Sequence, residues 1–63
     1  MPRPIVNTFM RELVEAVNKY PHMRIGQLLD NAYYQWKKSH NSSTQFYYLK
    51  DTDLVIMLRE YRP

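Results

Sequence analysis

From Ile5 to Tyr20 the apolar residues return every three or four positions. At 100° per residue, Val6, Phe9, Met10, Leu13, Val14, Ala16, Val17 and Tyr20 fall in one sector about 160° wide. Asn7, Thr8, Arg11, Glu12, Glu15, Asn18 and Lys19 fill the other side. Such a pattern predicts a helix with one buried face. Arg11–Glu15 and Glu15–Lys19 add opposite charges at helical neighbour spacing. Pro21 closes it, because proline disfavours helical backbone at the preceding residue and has no amide to donate.

A second helical pattern runs from about Met23 to Lys38. Ile25, Leu28, Leu29, Ala32, Tyr33 and Trp36 share a face, opposed by Arg24, Gln27, Asp30, Asn31, Lys37 and Lys38. Tyr34 stands on the polar side. Gly26 falls in the first turn, where a missing side chain lets another element come close. Lys37 and Lys38 in the last turn complement the helix dipole. The short Tyr20-Pro21-His22 corner predicts that the two helices pack as an antiparallel or steeply crossed pair.

Ser39-His40-Asn41-Ser42-Ser43-Thr44 reads as a loop, and Gln45-Phe46-Tyr47-Tyr48-Leu49 as an extended piece. Asp51 then has the character of an N-cap, with Asp53 adding negative charge at a helix start. Leu54, Met57, Leu58 and Tyr61 follow on one face, Val55 at its margin and Ile56 pointing away. The unbroken apolar run Leu54-Val55-Ile56-Met57-Leu58 leaves a strand open as the minority alternative. The predicted architecture is mainly α: a compact three-helix domain, residues 1–63, with a short extended segment between helices 2 and 3. Leu13, Val17, Leu28, Leu29, Ala32, Trp36, Leu54 and Leu58 are its expected core.

Length sharpens that picture. A chain of 63 residues has room for one core and sits near the lower limit for folding unaided. With no cysteine, disulfides, thiol catalysis and most structural zinc sites are excluded. Dense helix packing or self-association is left as the support. The longest apolar run is far short of the ~20 residues of a membrane span, and Met1-Pro2-Arg3-Pro4 lacks the start of a secretory signal. No membrane partner is expected. A net charge of +3 permits contact with nucleic acid without arguing for it.

Candidate chemistry is sparse. His22 and His40 stand far apart, without a nearby acid or second ligand at metal spacing. Helix capping accounts for Asp51 and Asp53 better than a carboxylate pair does. The single glycine rules out a glycine-rich phosphate loop. Neither enzymatic activity nor a cofactor is expected. The unusual signal is aromatic: six tyrosines, two phenylalanines and one tryptophan. Tyr34, Tyr47, Tyr48 and Ile56 are surplus to the three helix faces and are the candidate residues of a protein interface, with another protein or a second copy. The alternative is a nucleic-acid contact through Arg24, Lys37, Lys38 and His40, with the polar loop after them.

Pro21-His22-Met23-Arg24-Ile25-Gly26-Gln27-Leu28-Leu29-Asp30-Asn31 resembles a P-x-x-R-x-G-Q-L-x-x-N pattern found in small proteins of bacterial and phage origin. Phe46-Tyr47-Tyr48-Leu49-Lys50-Asp51-Thr52-Asp53-Leu54 is similar to the F-Y-x-x-D-x-x-L stretch that follows it there, with one residue more between Tyr47 and Asp51. The resemblance implies such an origin; the absence of cysteine fits a cytoplasmic location (the host cytoplasm if phage-encoded). It carries over no catalytic residue. Arg24 and Gln27 have the chemistry to tie down the Phe46–Leu49 backbone, whose polar groups need partners. The expected function is that of a small non-enzymatic binding or regulatory protein.

Overall fold

The computed structural model describes residues 4–63; Met1-Pro2-Arg3 lies outside them. The order is α1 (Pro4–Lys19), α2 (Ile25–Ser39), a single 3-10 turn (Phe46–Tyr48) and α3 (Asp51–Glu60). The three expected helices are present, and Leu54–Leu58 is helix, not strand.

Their arrangement differs from the expected one. α1 and α2 do not form the main pair; each packs chiefly on α3. α3 is able to sit between them because its apolar side chains face both ways. Val55, Met57 and Leu58 are all buried on it, as is Tyr61 just beyond its end. The result is flattened, with extents of 31 × 30 × 16 Å. Arg59 on α3 reaches Glu12 on α1 at 2.8 Å. Arg59 is more than half exposed while Glu12 is largely covered, so the pair is only partly screened by water.

The core joins Ala16, Leu28, Ala32, Trp36, Met57, Leu58 and Tyr61. Leu13, Val17, Leu29 and Leu54, expected at its centre, are half-buried and pack against its margin. Because α1 and α2 each pack chiefly on α3, each outer helix meets a neighbour along a narrow strip only. The far edge of the α1 stripe, Met10 and Val14, is therefore left exposed.

Two helix ends also differ. The first intrahelical bond of α3 runs from the Leu54 amide to the Lys50 carbonyl at 3.1 Å, so Lys50, in extended backbone, is the N-cap and Asp51 is already helical. The side chain that caps the end is Asp53, which accepts the Lys50 amide at 3.3 Å. Asp53→Ala is expected to lower stability by about 0.5–1 kcal/mol in urea unfolding, and Asp53→Glu to keep most of it. At the end of α2, Asn41 adopts φ 49°. Its amide reaches the Lys38 carbonyl at 3.2 Å and that of Ser42 reaches Lys37 at 3.0 Å, the paired bonds of a Schellman ending.

The segment expected to be extended is only partly so. Gln45 and Leu49 are extended, but Phe46–Tyr48 close on themselves through Tyr48 N–H to Gln45 O at 2.9 Å and Leu49 N–H to Phe46 O at 3.2 Å. Without a partner strand, the backbone satisfies its polar groups locally. Arg24 and Gln27 do not tie it down. Gln27 lies on the other flank of α2, beside Tyr34, Asn31 and Gln35.

Candidate functional site

α2 has two working flanks. On one, Gln35 accepts the Arg62 amide at 2.9 Å and donates to the Arg62 carbonyl, so one carboxamide holds the chain after α3 in place. On the other flank, Tyr33 is the organising residue. Its hydroxyl donates to the Thr44 carbonyl at 2.7 Å, fastening the loop onto α2. Its ring meets Phe46 edge-to-face at 5.5 Å and Tyr34 at 6.3 Å, and Lys37 Nζ stands 5.7 Å from its centroid. Tyr47 and Tyr48 form a further edge-to-face pair at 5.1 Å.

These contacts join Tyr34 and Phe46 through Tyr33, with Tyr47 and Tyr48 paired in the adjoining turn, and all four leave much of their surface in solvent. Tyr34 is 62% exposed, Phe46 43%, Tyr47 86% and Tyr48 69%. A groove of about 350 Å³ lies between α2 and the turn, lined by Gly26, Leu29, Asp30, Tyr33 and Phe46. Ile56 is exposed on α3 and is not among the groove's lining residues. Of the four residues expected at an interface, Tyr34 is tied to this flank through Tyr33 while also lining the opposite flank with Gln27, Asn31 and Gln35. Tyr47 and Tyr48 pair with each other in the adjoining turn, and none of the four lines the groove itself.

Gly26 is informative because nothing among the described residues calls for glycine there. Its φ is not positive, and a Cβ built on it would meet no atom within 4 Å. Glycine in a helix costs roughly 0.5–1 kcal/mol relative to alanine. Gly26→Ala is accordingly expected to raise the unfolding free energy of the dilute chain by about 0.5 kcal/mol, measured by urea titration.

The basic residues are not brought together. Arg24 caps the start of α2, about 20 Å along the helix from Lys37 and Lys38. His40 is engaged with Glu60 at 2.9 Å and lies against the Trp36 ring at 5.3 Å. Among the described residues, no three histidine, aspartate or glutamate side chains are grouped to hold a metal ion. No helix among them is long and apolar enough to cross a membrane.

Periodicity alone missed Tyr33, Leu29 and Phe46 as groove residues, because the first two lie on the apolar side of α2 and read as core. Asp30 was hidden among ordinary polar positions; Gly26 was the one available signal. Family models, curated proteins and solved structures were all compared with the chain, and none matches it.

Proposed function

We propose that this chain is a small non-enzymatic binding protein that acts through protein–protein contacts at the aromatic face of α2 and the Phe46–Tyr48 turn. The observation that carries the reading is an unfilled groove between α2 and the turn, lined by Tyr33 and Phe46, with Tyr34, Tyr47 and Tyr48 exposed on the same two elements. Contiguous exposed apolar surface marks contact sites, and tyrosine is the residue that interfaces favour. The resemblance in Pro21–Asn31 adds a bacterial or phage origin to the proposal. A nucleic-acid role draws less support: Arg24 is remote from Lys37 and Lys38, and Asp30 puts negative charge in the groove.

The test is photocrosslinking in the source cell, with a benzophenone amino acid in place of Tyr34, of Tyr47, or of Asn18 on the exposed side of α1. Protein adducts from positions 34 and 47, and few from 18, are expected. Adducts to nucleic acid, or equal yields from all three positions, would overturn the reading.

A further inference from the structure

We infer that the partner of this face is a second copy of the chain, docked through α2 in antiparallel two-fold register so that Asp30 of each copy meets Lys37 of the other. The inference rests on the reading of the face as a protein-contact surface and adds the identity of the partner.

Charge complementarity supplies the register. Asp30 and Lys37 lie on the same outer stripe of α2, about 10.5 Å apart along the axis, too far to pair with each other. Neither makes an ion pair among the described residues. Within one chain they are an acid and a base with no use for one another. A two-fold axis crossing α2 between Tyr33 and Tyr34 exchanges the two ends of the stripe. It brings each Asp30 opposite a Lys37, twice over, as an isologous contact requires.

The same register accounts for other features. Tyr33 of each copy meets Tyr34 of the other beside the axis, where the largest side chains of an interface usually sit. Gly26 comes opposite Asn41 of the second copy, at the turn that ends α2. There the absence of a side chain lets the helix and the turn approach, which gives this glycine the reason that the single chain lacks.

The contact is small. At about 200 Å² for an aromatic side chain, the exposed parts of Tyr34 and Phe46, the two rings that meet Tyr33, come to roughly 200 Å² per copy. An interface on this scale is weak and concentration-dependent, not a permanent dimer.

Sedimentation equilibrium of the full chain from ~10 μM to ~1 mM, with circular dichroism to confirm folding, tests this. The mass is expected to rise from monomer toward dimer across that range. Asp30→Lys alone, or Lys37→Asp alone, is expected to weaken association at least about tenfold by placing four like charges together. Asp30→Lys combined with Lys37→Asp restores the pairing with reversed polarity, and association returns to within about threefold of the original. A monomer mass up to the highest concentration would overturn the inference. So would a dimer indifferent to either single change, or one that the double exchange fails to rescue. Crosslinks from positions 34 and 47 to some other protein, alongside a monomer mass, would remove the second copy and keep the contact face.

Discussion

Leu28→Ala is expected to lower the unfolding free energy by about 2–5 kcal/mol, while Leu29→Ala, one position along, should cost about half of that or less. Leu28 is 1% exposed and sits in the cluster that α2 shares with α3. Its truncation leaves a cavity that neighbouring helices cannot collapse into without losing their own contacts. Leu29 is only half-buried and lines the open groove beside Tyr33, so removing its methyl groups uncovers little. A domain of this size has about 3–5 kcal/mol to lose. The first variant should therefore be largely unfolded in buffer at 25 °C and the second a cooperative folder. Urea titrations followed by circular dichroism separate the two. Equal midpoints would mean that α2 buries a different side from the one described.

Tyr61→Ala is expected to have an effect of the same order, about 3–5 kcal/mol, although the residue lies beyond the last helix. Its ring is 3% exposed, packs edge-to-face on Tyr20 at 5.4 Å, and points its hydroxyl at the Met23 sulfur at 3.5 Å. Tyr61 thus closes the region where the end of α3 meets the end of α1 and the corner that follows. Gln35 holds the next residue, Arg62, by its backbone and so keeps the ring in position. Tyr61→Phe retains the packing and loses a weak hydroxyl–sulfur contact, so it should cost under ~1 kcal/mol. If alanine and phenylalanine at this position gave similar midpoints, the ring would not be part of the core.

The helices were legible because each carries a period that only helix geometry satisfies. Pro21 marks one boundary, and the polar run after Ser39 marks another. Their packing was less legible, for a reason visible in α3. A helix wedged between two others buries side chains across a broad arc, so Val55 turned inward beside Met57 and Leu58 and only Ile56 faced out. A short apolar run with no clear period is the signature of such a helix, and it resists any reading that assumes one buried face. The same arrangement starves α1 and α2 of partners, which is why Val14 and Leu29 are less buried than their places on an apolar stripe imply.

The Phe46–Tyr48 turn shows a different limit. Aromatic residues favour extended backbone only where a neighbouring strand takes up the amide bonds, and that condition is not written in the segment itself. The exposure of Tyr34, Tyr47 and Tyr48 could be read from their surplus over the helix faces. The docking of Phe46 on Tyr33 could not, because the Tyr33–Thr44 hydrogen bond that folds the loop back spans a stretch without sequence period. At the start of α3, composition pointed to the right turn and the wrong acid. Either aspartate can cap, and where Lys50 leaves extended backbone decided for Asp53.

The claim at the centre of this account is that the aromatic face is covered by protein when the chain is at work. Hydroxyl-radical footprinting measures that directly, comparing the chain in nuclease-treated extract of its own cell with the purified chain at low micromolar concentration. Tyr34, Tyr47 and Tyr48 should be protected in the extract, while Met10, exposed on α1, stays as reactive as in the dilute sample. Oxidation of the three tyrosines at equal rates in both samples would contradict the claim and leave these rings as ordinary surface.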